Sequence, residues 1–175
     1  MSEAAAIEAP ADVIDWERLW LATRRRPWTT LVLIPIGDDI STPRIAALLA
    51  VVGQRHLGAP VTVSDATGVT LSDLEEELGA IAARAGSAPP AVVALSKLDR
   101  SRWVHEQRGV CAPPAIVALP RLQRSPAGLA LAQAADAAIL CVTLRRSAIA
   151  EAEQVLAEVG RERVIGSLVL RSKKA

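Results

Sequence analysis

The apolar positions of this chain alternate between two periods. In "DVIDWERLWLATRRR" (residues 12–26), Val13, Trp16, Leu19, Trp20 and Thr23 recur at the spacing of one helical face, which predicts a helix ended by Pro27. "TTLVLIPI" (29–36) follows as an unbroken apolar, β-branched run of the sort found in a buried strand of a parallel sheet. Helical spacing returns in "PRIAALLAVVGQRH" (43–56). Its start is set near residue 42, with Thr42 as cap and Pro43 at the first helical position.

The same alternation continues. "APVTVSDAT" (59–67) predicts a second strand, "LSDLEEELGAIAARAG" (71–86) a helix, "PAVVALS" (90–96) a third strand and "LDRSRWVHEQRG" (98–109) a helix or helical loop. Then come a strand in "PAIVALP" (114–120), a helix in "PAGLALAQAA" (126–135), a strand in "DAAILCVTL" (136–144), a helix in "SAIAEAEQVLAEVG" (147–160) and a last strand in "VIGSLVL" (164–170). Strands that alternate with helices throughout imply an α/β fold, a parallel β-sheet flanked by helices on both faces. Ligands of such sheets sit at the carboxyl ends of the strands. Residues 1–10, Ala-rich, are expected to be a mobile N-terminal segment before a single domain spanning 11–175.

Composition narrows the function classes. The 175 residues include 51% apolar side chains, ample for one core, but no Phe or Tyr; aliphatic packing and four tryptophans must supply it. Twenty basic residues against 19 acidic give a net charge of +1, so no global field favours nucleic acid or an anionic membrane. Cys111 and Cys141 stand apart, in no CxxC pair or Cys/His cluster, and neither metal nor cofactor is expected. Cys141, inside "AAILCVTL", reads as a small buried apolar residue. The longest apolar runs, such as "IAALLAVV" (45–52), fall far short of the roughly 20 residues that cross a bilayer. The opening "MSEAAAIEAP" holds acids and lacks the basic start of a secretion signal, which points to a reducing cytoplasm.

Several phrases, in this order, resemble one family. "WTTLVLIPIGDDISTPRIAALLA" (28–50) follows a helix ending in basic residues and has the outline of a strand, a phosphate-binding loop and a helix. "VTVSDAT" ends a strand on Asp65. "AIVALPRLQRSPAGLALAQAADAAILCV" (115–142) has the outline of a strand ending in D-x-P-P, a helix and "ADGVLLVV", and "RVIGSLVLR" that of a closing strand. Together, over residues 12–171, they resemble the cytoplasmic domain of the bacterial tyrosine kinases of polysaccharide export, a branch of the MinD/ParA-like P-loop ATPases. The resemblance implies a P-loop NTPase-like fold and a place beside a membrane-embedded chain-length or export protein, hence a cytoplasmic location near the inner membrane through that partner.

Against the pattern of that family the nucleotide positions are altered. A working P-loop needs several glycines, a lysine and a hydroxyl for Mg²⁺, whereas the loop here holds one glycine, Gly37. Aligning Ser41 and Thr42 with the hydroxyl pair puts Ile40 at the lysine position; aligning the helix puts Thr42 there, and the Thr42-Pro43 start favours the second register. Asp38 and Asp39 oppose phosphate: a carboxylate about 5 Å away at an effective dielectric near 20 repels each unit charge by roughly 3 kcal/mol. A helix N-terminus returns at most about 2 kcal/mol. Ala118 occupies the place of the Walker B aspartate, Asp65 keeps the first acid of the DxD motif without the second, and Arg171 replaces the asparagine that reads the base. The family phosphorylates tyrosines in its own tail, and this chain has none.

These departures imply a catalytically inactive relative, a regulatory or scaffold protein of exopolysaccharide or capsule biosynthesis acting through protein contacts. A divergent nucleotide-dependent kinase or ATPase using Asp65 is the alternative. A DNA-associated protein is disfavoured by the dispersed basic residues. For partner contacts, Trp16, Trp20 and Arg24 recur every four residues along one side of the first helix, where the family carries E-x-x-R-x-x-R for subunit contacts. Glu17 matches the acid; Trp20 and Thr23 replace the arginines. The alternative is that both indoles pack on the sheet. "ATRRRP" (22–27) reads as a basic helix end or an anion-binding cluster, and His56 and His105 show no catalytic companions.

Overall fold

A computed structural model of the chain describes residues 13–37, 39–76, 113–143 and 147–170. The elements are α1 (Val13–Thr23), β1 (Thr30–Ile36), α2 (Thr42–Leu57), β2 (Thr62–Asp65), α3 (71–76), β3 (Ala115–Ala118), α4 (Pro126–Ala134), β4 (Ala137–Thr143), α5 (Ser147–Val159) and β5 (Val164–Leu170). The five strands form one parallel sheet in the order β2-β3-β1-β4-β5. The expected strand over 90–96, the helical segment 98–109, the remainder of the helix over 71–86 and the segment 1–10 lie outside the described residues.

Each face of the sheet has its own core. Leu31 and Leu33 of β1, Ile116 and Ala118 of β3 and Ile139 and Cys141 of β4 point to one side, where α2 places Ile45, Ala46 and Leu49 and α1 places Trp20. Val32, Ile34 and Ile36 point to the other with Val117 and Leu140, covered by Ala132 of α4 and by Val155 and Val159 of α5. The connection leaving β1 therefore crosses one face and the connection leaving β3 crosses the other. Adjacent strands whose helices depart to opposite faces leave a crevice at their carboxyl ends, here between β1 and β3.

β1 carries a proline in mid-strand, which an interior strand ordinarily excludes because a ladder donor is lost. Ala115 donates to the Thr29 carbonyl and Leu119 N–H to that of Leu33, so the odd-numbered residues of β1 turn their backbone groups towards β3. Pairing with β3 stops at Leu33↔Ala118. The missing N–H of Pro35 faces β3 just past its last paired residue, where the Leu119 carbonyl takes the Thr42 hydroxyl instead.

Two local features differ from expectation. The N-cap of α2 is Ser41, in extended backbone and making no side-chain cap bond, while Thr42 is the first helical residue. The Thr42 hydroxyl is drawn inward instead, donating to the Leu119 carbonyl at 2.8 Å. In β5 a bulge at Ile165 lets Ala138↔Val164 be followed by Ile139↔Gly166. That extra residue turns Leu168 and Leu170 to the α1/α2 side, where a regular strand continuing from Val164 would aim them at α5. α2 ends at Gly58, whose φ of +62° is the left-handed conformation that closes a helix and whose N–H bonds the Gln54 carbonyl.

α1 is seated on α2 through Trp20, which is 1% exposed. Its ring lies over Gly53 of α2 and meets Trp28 edge-on, 5.7 Å between centroids at 82°. Trp28 Nε1 donates to the Thr23 carbonyl at 3.0 Å and the Thr23 hydroxyl to that of Trp20 at 2.8 Å, tying the end of α1 to the start of the strand that follows. Asp136 Oδ2 accepts from the Thr29 and Thr30 N–H groups at 2.9 Å each and from the Thr29 hydroxyl, pinning the start of β4 to that of β1.

Candidate functional site

The carboxyl ends of β1, β2 and β3 bring together Gly37, Asp39, Ser41, Thr42, Asp65 and Ala118. Gly37 leaves β1 with φ +111°, a conformation L side chains rarely adopt. Asp39 and Ser41 are exposed, and Ile40 between them is half-buried against the α1/α2 core. Thr42 is 1% exposed, its hydroxyl committed to Leu119. A threonine hydroxyl has a single donor, and here it points into the protein. Ala118 is completely buried and stands level with Leu33 on one side and Asp65 on the other.

Asp65 is exposed, and its Oδ1 accepts from the Thr67 N–H at 2.9 Å and the Thr67 hydroxyl at 2.7 Å. This is an Asx-type turn, in which the carboxylate organises the chain leaving β2. Just beyond, Thr70 and Asp73 form a reciprocal capping box at the start of α3: Thr70 N–H and hydroxyl reach Asp73 Oδ2 at 2.8 and 2.7 Å, and Asp73 N–H reaches the Thr70 hydroxyl at 3.3 Å. The Thr70 hydroxyl, then its N–H, hold the Asp73 carboxyl below the usual carboxylate range. As an acid at a strand end, Asp65 caps the turn that follows it. The D-x-T spacing was a usable signal for Thr67; nothing local marks Leu119. Asp38 and Arg171 lie outside the described residues, as do His105 and Cys111.

Cys141, opposite Pro35 in mid-sheet, is fully buried, and burial pushes its thiol up to about 12. It is a packing residue with little thiolate at neutral pH. Among the described residues no group of three or more His, Cys, Asp or Glu side chains is placed to hold a metal ion, and no helix is long and apolar enough to cross a membrane.

The four expected contact positions, three on α1 and Arg24 just past its end, separate. Trp20 is spent on the chain's own core and offers a partner no surface, which corrects its reading as a contact residue. The reason is Gly53, whose missing side chain makes a seat for the ring. Trp16 and Glu17 are half-buried and Arg24 is exposed. Arg24 lays its guanidinium over the Trp28 ring, 4.9 Å from the centroid, and donates from Nη1 to the Trp28 carbonyl at 3.1 Å. Arg26 donates to the Glu162 carbonyl. Two arginines of the basic cluster are thus tied to backbone carbonyls.

No protein-family model matches the chain, and no curated protein matches its sequence. Solved structures do match its fold. The chimerical protein CapA2B2 superposes with a TM-score of 0.63 over 98% of this chain and 88% of its own, at 11% identity. The kinase domain of the Escherichia coli tyrosine kinase ETK gives 0.57 over 90% and 74%, at 14% identity. The MinD cell division protein of Aquifex aeolicus gives 0.53 over 82% and 69%, at 15% identity. The chain has the P-loop NTPase-like α/β fold of bacterial tyrosine-kinase domains and MinD, as the order of its elements implies.

Proposed function

We propose that this chain is a non-catalytic relative of the polysaccharide-export tyrosine kinases, a regulatory or scaffold subunit that works through protein contacts with a membrane-embedded chain-length or export protein. It holds no nucleotide cofactor and sits in the cytoplasm at the inner membrane through that partner. The observation that carries this reading is the pair Thr42 and Ala118. At the crevice where a nucleotide phosphate and its metal would be held, one hydroxyl is buried on the Leu119 carbonyl and the neighbouring strand ends in a methyl group. Loss of the lysine, of all loop glycines but Gly37 and of the Walker B acid removes phosphate neutralisation and metal support together.

Calorimetric titration with millimolar ATP or GTP and Mg²⁺ tests this, with no binding heat as the expected result. Micromolar affinity that disappears in Asp65→Ala would instead establish the divergent-enzyme reading, which Asp65 keeps open by standing exposed at the carboxyl end of β2.

A further inference from the structure

The opposite end of the sheet carries a groove that the nucleotide positions leave unused. A depression of about 690 Å³ runs across the starts of β1, β3 and β4, walled by Pro27, Pro60, Pro113, Pro114 and Leu57, with Trp28 as its floor. A second, of about 490 Å³, lies along the end of α2 between Val51, Gln54 and Arg55. Ala59 and Pro60 line both, so the two depressions adjoin along this segment. Val51 and Leu57 are 51% and 40% exposed, large apolar side chains held in water along this track. The segment the two depressions share leaves α2 at Gly58, whose left-handed conformation turns the chain, and Pro60 fixes its own φ.

Its charges are arranged for an anionic visitor. Arg24 stands at one depression with its guanidinium already fixed by the Trp28 ring and carbonyl, so little rotamer freedom is lost when its other N–H groups are used. Arg55 stands at the other, exposed and with no protein partner among the described residues. Asp136 is the one acid of the lining, and its Oδ2 already takes three donors from Thr29 and Thr30. The four prolines contribute no N–H, so recognition falls to side chains rather than to strand addition.

The shape decides the kind of occupant. Small ligands are ordinarily buried over some 70–90% of their surface. Here Trp28 alone of the lining is buried, and Pro27, Thr29, Ala59 and Pro60 are exposed. Among the described residues the lining lies open, the form that takes an extended chain.

We propose that this groove docks an extended acidic and apolar segment of a partner protein, its carboxylates on Arg24 and Arg55 and its apolar side chains against Leu57, Val51 and the prolines. The proposal rests on the reading of the chain as a partner-binding subunit and adds the surface and the chemistry of the contact.

The test is selection of a random peptide display library on the full-length protein, followed by fluorescence anisotropy of the enriched peptides on wild type, Arg55→Glu and Arg24→Glu. Enriched sequences should pair Asp or Glu with Leu, Ile or Pro, lose at least tenfold in affinity on Arg55→Glu, and weaken as salt rises. Arg55→Glu carries the decision should Arg24→Glu loosen the Trp28 contact, which a thermal melt reveals. Peptides that bind both variants as well as wild type, basic consensus sequences, or no enrichment at all would overturn the proposal. So would a dimer in sedimentation that Arg55→Glu dissociates, since the occupant would then be a second copy. Co-purification from the native cell separates the two readings. A membrane protein retained equally by wild type and Arg55→Glu removes the groove and leaves the scaffold role standing, whereas peptides of the stated chemistry with no such protein retained do the reverse.

Discussion

Replacing Gly53 by alanine tests how α1 is seated on α2. In an ordinary helix interior the change gains about 1 kcal/mol of propensity. Here the new methyl carbon would stand 2.5, 2.6 and 2.9 Å from Cη2, Cζ3 and Cζ2 of Trp20, where carbon atoms prefer about 3.5–4.0 Å. The ring has to retreat by about an ångström on that scale, and it is hemmed in by Trp28 and fully enclosed. Overpacking of this kind costs about 1–3 kcal/mol, and a rigid indole falls towards the upper end. The net expectation is a loss of about 1–2 kcal/mol, or about 2–4 °C of Tm for each kcal/mol. Urea unfolding measures it. The decisive comparison is the same substitution in a Trp20→Ala background, itself destabilised by about 3–5 kcal/mol. There the clash is gone and the propensity gain alone remains, so Gly53→Ala should change sign and stabilise. A Gly53→Ala protein more stable than wild type, or an equal effect in both backgrounds, would refute the packing argument.

Two further outcomes follow from buried polar groups. Thr42→Val keeps the volume of the side chain but removes the hydroxyl bonded to Leu119; a loss of about 1–3 kcal/mol is expected in urea unfolding, and a neutral result would mean that this bond does not hold the crevice closed. Cys141 keeps its proton to about 12 when folded but releases it near about 8.5 when unfolded, so its contribution is complete below the lower value and lost as pH rises towards the higher. The stability advantage of wild type over Cys141→Ala should therefore shrink above about pH 8.5, by about 1.4 kcal/mol per pH unit; a constant difference from pH 7 to 10 would contradict the burial.

What the sequence reveals here is what local physics decides. The change from period 3.6 to continuous apolar runs located β1, α2, β4, α5 and β5 within a residue or two. Pro43 and Pro126 marked helix starts, because caps are formed by neighbours in the chain. Properties set by distant residues stayed hidden. The periodicity of α1 shows that Trp16 and Trp20 share a side, not whether a partner or α2 lies beneath it, and the answer depends on a glycine more than thirty positions away. "VIGSLVL" reads as one smooth strand, yet its inward face is chosen by a bulge visible only against β4.

The candidate site divides along the same line, and that division bears on function. Missing residue types are legible without any structure: a loop with one glycine and no lysine, and a strand ending in alanine. How the groups that do stand there are used is not. Thr42 might have remained a solvent-facing hydroxyl at a vacant anion site, and nothing in "STPRIAALLA" says otherwise. Instead it closes on Leu119, the residue after Ala118, and Asp65 bonds Thr67. Thr42 spends its one donor inside the protein, whereas Asp65 commits only Oδ1 to the turn after β2 and stays exposed. A site kept for a ligand leaves such donors and acceptors directed outward. On the proposed reading, the inward hydroxyl of Thr42 is what a fold kept for its surfaces would show, while the exposed Asp65 is the group that the nucleotide titration has to test.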